Sequence, residues 1–156
     1  MKNYEIVLEK PTLNDISNMQ NLVKDYVKEG IILARSDDEV ANAIRSYIVA
    51  KIDGKIVGFA SLYIYSKDLA EIRTLVADKN FQRVGVGKRI VSYLLDEGKK
   101  LGVKKVLVLV YDKGFFLKQG FQEVSKEEIP EHKVWEDCIR CKLFPVCNES
   151  ALIINL

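Results

Sequence analysis

The chain has 156 residues, 48% of them hydrophobic, which is enough to bury the core of one globular domain. Its 24 basic and 22 acidic residues leave a net charge of only +2, which argues against nucleic acid as a partner. No basic segment followed by an apolar stretch opens the sequence, and no apolar run is long enough to cross a bilayer. We therefore expect a soluble, cytoplasmic protein without a membrane partner.

The first half of the chain predicts a strand, two helices and a hairpin. Alternation over Tyr4–Glu9 predicts the strand, and Thr12 is placed to cap an amphipathic helix that runs to about Glu29. Residues 37–46 carry apolar side chains at helical spacing, and a β-branched, extended pattern follows them. The pair Asp53-Gly54 then predicts a tight turn between antiparallel strands, because both turn positions need a positive φ.

The second half predicts a long helix between strands. Ala70–Ala77 reads as a strand, and residues 85–101 form an amphipathic helical pattern. Lys104–Tyr111 is almost continuously aliphatic, which is typical of a central strand with both faces buried. A short helix at Phe115–Gln119 follows, and strand patterns recur at 121–124 and 151–156. Neither a repeat nor a linker interrupts the chain, so we expect a single domain over residues 1–156.

The segment Gln82–Lys88 combines glycines with basic side chains at the start of the long helix. Gly85 and Gly87 allow backbone N–H groups to approach a phosphate closely, and the helix N-terminus adds unpaired donors and a favourable dipole. Arg83, Lys88 and Arg89 add positive charge. The segment therefore predicts a site for a phosphate-bearing ligand.

Other interpretations of this loop are weaker. A Walker-type loop needs glycine at position 82 and Ser or Thr at position 89, where the chain has Gln82 and Arg89. A dinucleotide-binding loop needs a third glycine at Ile90 and no antiparallel hairpin upstream, although Asp112 after the next strand keeps that interpretation open. A tight helix entry without any ligand is the remaining alternative.

The loop resembles the acetyl-coenzyme A loop of the GCN5-related N-acetyltransferase (GNAT) family, Gln/Arg-x-x-Gly-x-Gly/Ala, at Gln82, Gly85 and Gly87. Phe115–Phe121 is similar to the family's Phe-Tyr-x-x-x-Gly-Phe segment, and the order of elements matches over nearly the whole chain. The resemblance implies an α/β (α+β) fold with a mixed, mainly antiparallel central sheet flanked by helices. It also implies an enzyme that transfers acetyl from acetyl-CoA to the amine of a small molecule.

The resemblance further implies where acetyl-CoA binds. The pyrophosphate would lie on the backbone N–H groups of about Arg83 to Lys88, and the pantetheine would run along Leu75–Ala77 like an added strand. The residues expected to bind the cofactor are Leu75, Val76, Ala77, Gln82, Arg83, Val84, Gly85, Val86, Gly87, Lys88 and Phe116.

Within the family, the closer likeness is to the short bacterial glutamate N-acetyltransferases of arginine biosynthesis. It is carried by Ile32–Ser36, by Ala70–Leu75, and by Val108–Val110 followed by the two phenylalanines. This implies L-glutamate as acceptor, with Arg35, Arg73 and Thr74 at the substrate, since each arginine could hold one carboxylate. The alternatives are a polyamine, an antibiotic or a protein terminus as acceptor, or a non-catalytic acetyl-CoA-binding regulatory domain.

The family's chemistry assigns further roles. An amine attacks a thioester only when unprotonated, and the resemblance places Glu71 as the base, acting directly or through one water. The backbone N–H of Val76 would stabilise the oxyanion. The family's tyrosine acid falls at Phe116, which has no hydroxyl, so either Tyr111 replaces it or coenzyme A leaves as a thiolate.

The three cysteines, Cys138, Cys141 and Cys147, lie in a segment at about 127–149, where an odd number favours reduced thiols. With His132 they could form a zinc site, but reduced packing as small hydrophobic residues is the favoured interpretation, and we expect no metal. His132 is the one histidine and no nucleophile elbow is present, which disfavours a Ser-His-Asp hydrolase. A homodimer is compatible with the sequence.

Overall fold

A seven-stranded sheet organises the part of the chain that the computed structural model describes, namely residues 4–125, 129 and 150–156. The strands are β1 Val7–Glu9, β2 Tyr47–Ile52, β3 Lys55–Ile64, β4 Leu69–Ala77, β5 Lys105–Val110, β6 Gln122–Val124 and β7 Ser150–Asn155. The α-helices are α1 Ile16–Lys28, α2 Asp37–Asn42, α3 Val86–Leu101 and α4 Gly114–Lys118. Short 3₁₀ turns cover Leu13–Asp15, Ile44–Ser46 and Lys79–Phe81.

The strand order is β1-β2-β3-β4-β5-β7-β6, and every neighbouring pair is antiparallel except β4–β5, which is parallel. The expected α/β fold with a mixed, mainly antiparallel sheet and flanking helices is confirmed. The predicted Asp53-Gly54 turn is also present, with φ of 51° and 77° at its two residues. It pairs Ile52 with Lys55 and so sets the register of β2 against β3.

The two faces of the sheet are covered by different helices. α3 buries Ile90, Val91 and Leu94 against one face, as the apolar spacing of its sequence predicts. α1 buries Met19 and Val23 in a second cluster on Val49 and Phe59 of β2 and β3. Each fully buried aliphatic side chain contributes about 1.5–3 kcal/mol, so these faces fix both helices firmly on the sheet.

Two predicted elements differ from the observed ones. The helix expected over 37–46 ends at Asn42 and continues as a separate 3₁₀ turn, with Ala43 at φ −100° and ψ 11° between them. The strand expected from Tyr4 is shortened to three residues beginning at Val7. Tyr4 lies before this strand and packs its ring edge-on against Phe81, with the ring centroids 5.2 Å apart.

β4 and β5 run together over only part of their length. Their register pairs join Leu69–Glu71 to Lys105–Leu107, and none follows these. β4 then continues to Ala77 alongside β3, while the end of β5 pairs with β7. Because the two strands part after Glu71, a wedge-shaped gap opens between them in the middle of the sheet.

None of the helices in the described ranges is both long and apolar enough to span a bilayer. The cysteine segment at about 127–149 lies, apart from Ile129, outside the described residues, so its structure and the single-domain extent over 1–156 stay predictions.

Candidate active site

A cavity of about 410 Å³ fills the gap between β4 and β5. Its walls are the outer half of β4, the end of β5, the segment that joins α1 to α2, and Phe116 of α4. The sequence-predicted residues that line it are Arg35, Glu71, Arg73, Thr74, Leu75, Val76, Ala77, Gln82, Tyr111 and Phe116. The structure therefore brings the expected acceptor, pantetheine and acid–base residues to one place.

β4 is distorted where it enters the cavity. Ser61 pairs with Arg73 and Phe59 with Val76, so Thr74 and Leu75 together oppose the single residue between Phe59 and Ser61. This is a β-bulge, which re-aims the strand's backbone groups. Thr74 has a φ of 58°, an unusual conformation for a β-branched residue. The bulge therefore includes Leu75, the first residue of the Leu75–Ala77 stretch expected to pair with the pantetheine.

The predicted phosphate loop forms the entry to α3. Arg83 and Gly85 both have positive φ, at 66° and 94°, and Gly85 is the N-cap. The N–H of Arg89 donates to the carbonyl of Gly85 at 3.0 Å, so the N–H groups of Val86 to Lys88 have no acceptor within the helix. A helix of 16 residues adds a partial positive charge at this end. Such an arrangement suits a phosphate or pyrophosphate.

Two glycines explain how the loop is placed. A Cβ on Gly58 of β3 would lie 2.7 Å from Cγ1 of Val86 and 2.8 Å from the carbonyl oxygen of Val76. Gly58 is therefore what allows the first turn of α3 to approach the sheet, and nothing in the sequence pattern singled it out. A Cβ on Gly87 would lie 3.4 Å from the ring of Phe115, which is ordinary contact, so packing does not require a glycine there.

The end of the cavity next to the last β4–β5 pair contains a buried carboxylate in a triangle of hydrogen bonds. Glu71 is only 3% exposed. The Tyr65 hydroxyl donates to Oε1 of Glu71 at 2.8 Å, and Nε of Arg73 donates to the same oxygen at 2.8 Å. Nη2 of Arg73 in turn donates to the Tyr65 hydroxyl at 2.9 Å. The Arg73 guanidinium also stacks on Tyr63, 3.6 Å from the ring centroid.

Tyr65 was not predicted from the sequence. It follows the end of β3, where a tyrosine is also typical of strand packing, so only the fold brings it to Glu71. Burial, and then the negative charge of Glu71, raise the pKa of Tyr65 above its ordinary value. The side chain therefore remains a hydroxyl that both donates and accepts.

Arg35 enters the cavity from the segment between α1 and α2. Gln20 holds this segment by donating to the Arg35 carbonyl at 2.8 Å, and Glu39 forms a long ion pair with the Arg35 guanidinium at 4.0 Å. Burial raises the pKa of Tyr47, while the charges of Arg35 and Arg73 both oppose that rise. Arg35 and Tyr47 also line a small second cavity, a neighbourhood that the sequence did not reveal.

Phe116, which occupies the position of the family's tyrosine acid, and Tyr111, its expected substitute, lie in different environments. Phe116 is buried, with ring centroids 5.0 Å from Phe115 and 5.2 Å from Phe121, and supplies an apolar wall. Tyr111 lies at the cavity rim with 38% of its surface exposed. Tyr26 of α1 is a further lining residue, unpredicted, whose hydroxyl accepts from Nε2 of Gln82 at 3.4 Å.

Among the residues that the structure describes, no group of three or more His, Cys, Asp or Glu side chains could hold a metal ion. Cys138, Cys141, Cys147 and His132 lie outside those residues. The interpretation of that segment stays a prediction.

The chain matches a known family of enzymes. The model of the acetyltransferase (GNAT) family matches residues 13–121, which is more than half of the chain. The chain belongs to this family and is an acetyl-CoA-dependent N-acetyltransferase. An uncharacterized N-acetyltransferase of Chlorobaculum tepidum is 34% identical over 92% of this chain and 92% of its own length.

Other relatives are named amino-acid acetyltransferases. The Mycobacterium tuberculosis protein is 29% identical over 85% of this chain and 77% of its own length. The Neisseria meningitidis protein is also 29% identical, but this chain spans only 27% of its length. Among solved structures, N-acetylglutamate synthase from Neisseria gonorrhoeae, complexed with coenzyme A and N-acetyl-glutamate, superimposes with a TM-score of 0.87 at 25% identity, covering 99% of this chain and 36% of that one.

Proposed function

We propose that this enzyme acetylates the α-amine of an acidic amino acid, L-glutamate, from acetyl-CoA. The observation that carries the proposal is that Arg35, Arg73 and the buried Glu71 line one cavity, where Arg73 pairs with Glu71. Relatives named amino-acid acetyltransferases, and a structural neighbour complexed with N-acetyl-glutamate, support the same acceptor.

The cofactor residues fit acetyl-CoA. The entry to α3 has positive φ at Arg83 and Gly85, and the N–H groups of Val86 to Lys88 have no acceptor within the helix, which suits a pyrophosphate. Within the described residues, the outer half of β4 pairs with no strand on its β5 side, so the Leu75–Ala77 backbone can hydrogen-bond the amides of the pantetheine. Phe116 and the neighbouring apolar residues would then surround the acetyl end.

Charge balance favours an anionic acceptor. Glutamate brings two carboxylates into a cavity that already holds the Glu71 carboxylate, so cations must offset their repulsion. Among the described residues, Arg35 and Arg73 are the arginines that line this cavity. Arg35 can bind one carboxylate with two parallel hydrogen bonds, and Arg73 adds a second positive charge beside Glu71. A cationic acceptor would instead face two like charges at short range.

The steps of acetyl transfer are assigned to residues of β4 and to Tyr111, which follows β5. We assign to Glu71 the acceptance of the amine proton, directly or through one water, as nitrogen bonds to the thioester carbonyl carbon. The N–H of Val76, just after the bulge, is assigned to the oxyanion. The C–S bond then breaks, and the sulfur leaves as a thiolate or takes a proton from Tyr111.

An acceptor screen tests the proposal. We expect L-glutamate to give the highest kcat/KM among the amino acids, spermidine and an N-terminal peptide. L-Glutamine is the matched control, because it differs from glutamate in one carboxylate. Loss of a charge-assisted contact of about 1.5–3 kcal/mol should lower its kcat/KM by roughly 10- to 150-fold. Preference for a neutral or cationic amine would overturn glutamate as acceptor while leaving the acetyltransferase assignment standing.

The environments of Phe116 and Tyr111 are the observation that favours the alternative of a non-catalytic regulatory domain. The buried position expected for a tyrosine acid holds Phe116, and the nearest substitute, Tyr111, is at the exposed rim. Tight acetyl-CoA binding by calorimetry, together with no turnover of any amine in the screen, would favour that alternative.

A further inference from the structure

We propose that Tyr65 is a positioning residue that keeps Glu71 available as a base by preventing its closure into a two-point ion pair with Arg73. The inference rests on the proposed role of Glu71 and extends it to a residue outside the cavity lining. The contacts that carry it are the three hydrogen bonds among Tyr65, Glu71 and Arg73.

The directions of these bonds are informative. Glu71 and Arg73 are two residues apart on β4 and so point to the same face of the sheet. An arginine beside a carboxylate commonly binds both oxygens with two parallel N–H groups. Here Arg73 donates Nε to Oε1 of Glu71 but directs Nη2 to the Tyr65 hydroxyl. Tyr65 thus takes the second donor that a two-point pair with Glu71 would use.

The β3–β4 turn holds Tyr65 in this place. The Tyr65 N–H donates to the Leu69 carbonyl at 2.9 Å, closing the turn that leads into β4. The Ser66 hydroxyl accepts from the N–H groups of Asp68 and Leu69, both at 3.2 Å. The same short turn therefore sets the spacing between the Tyr65 hydroxyl and the Glu71 carboxylate.

Only a group that donates and accepts can fill this role. The Tyr65 hydroxyl donates to Glu71 and accepts from Arg73. Phenylalanine keeps the ring but offers neither function. Without the hydroxyl, Nη2 of Arg73 loses this contact and can pair with Glu71 at a second point, which would occupy the carboxylate that the amine proton needs.

The test is a double-mutant cycle on kcat with Tyr65→Phe and Glu71→Gln. With wild-type Glu71 present, Tyr65→Phe should lower kcat by roughly 10-fold, with the KM of acetyl-CoA changed less than about twofold. In the Glu71→Gln background the same substitution should change kcat less than about twofold, because the two residues act as one unit. Tyr93→Phe on α3 removes a hydroxyl outside the cavity and should leave kcat unchanged.

Equal losses in both backgrounds, or no loss in either, would overturn the role of Tyr65. If Tyr65→Phe fails to fold, as judged by circular dichroism, Tyr65→Leu, which likewise removes the hydroxyl, takes its place in the cycle with Glu71→Gln and should show the same non-additivity. The measurement uses whichever amine the wild type turns over fastest. A wild type that prefers an amine other than glutamate therefore refutes the acceptor while the cycle still decides the role of Tyr65.

Discussion

At the scale of single residues, Thr74 is in a conformation that its side chain disfavours. Its φ of 58° is left-handed, and alanine there pays roughly the 1–2 kcal/mol that any Cβ costs in this region, whereas glycine does not. We expect Thr74→Gly to be about 1 kcal/mol more stable than Thr74→Ala by denaturant unfolding. The reverse order would show that the bulge relaxes when its residue is changed.

Arg35 offers a second test at this scale. Arg35→Lys keeps the charge but removes the planar fork that binds a carboxylate at two points. We expect the KM of glutamate to rise roughly 10-fold while the KM of acetyl-CoA stays within about twofold in steady-state kinetics. Arg45→Lys, in the 3₁₀ turn before β2 and outside the cavity lining, is the matched control. An equal effect of both variants would remove Arg35 from acceptor binding.

At the scale of elements, the entry to α3 tests where the pyrophosphate binds. A Cβ at Gly87 meets only the Phe115 ring at 3.4 Å, so a small side chain fits there. Gly87→Asp places a carboxylate beside the N–H groups of Val86 to Lys88 and should raise the Kd of coenzyme A at least 10-fold by calorimetry. Gly87→Ala is its uncharged control, expected to change Kd much less. Unchanged affinity in a folded Asp variant would exclude the loop from cofactor binding.

Gly58 tests how that entry is held. Its Cβ position is occupied on both sides, by Val86 at 2.7 Å and the Val76 carbonyl at 2.8 Å. Gly58→Ala should therefore cost about 1–3 kcal/mol of stability, as over-packing does in other cores, and displace the first turn of α3 from the sheet. Denaturant unfolding measures the loss, and Gly87→Ala again serves as a control on the same helix. Full stability would mean that α3 shifts without cost.

The sequence predicted the helices, strands and turns better than it predicted which side chains meet across neighbouring strands. Local signals were sufficient for the Asp53-Gly54 turn, the α3 stripe and the Gly85 entry, because each depends on residues close together in the chain. The Tyr65 triad depends on the β3–β4 turn and on the pairing of those two strands. The Asp53-Gly54 pair marks the β2–β3 turn, but no comparable pattern marks the β3–β4 turn, so the triad was not visible. The roles of the cavity residues and the homodimer stay predictions.

At the scale of the whole molecule, ligand binding should stabilise the fold measurably. A ligand that binds only the native state at 100 times its Kd adds about 2.7 kcal/mol. Coenzyme A at that concentration should therefore raise the melting temperature by several degrees in a thermal scan, and Gly87→Asp at the same concentration should not respond. Glutamate alone should have a smaller effect. An unaltered wild-type melting temperature would argue against a preformed cofactor site.

The parting of β4 and β5 also determines how firmly the backbone at Glu71 is held. Three register pairs, from Leu69–Lys105 to Glu71–Leu107, are the only backbone ladder between β1–β4 on one side and β5, β7 and β6 on the other within the described residues. That ladder lies at one end of the gap, and Glu71 is its last residue on β4. Its backbone is therefore paired on both sides, with Tyr63 of β3 and Leu107 of β5, so the carboxylate proposed as the base is carried by the most fully braced position beside the opening.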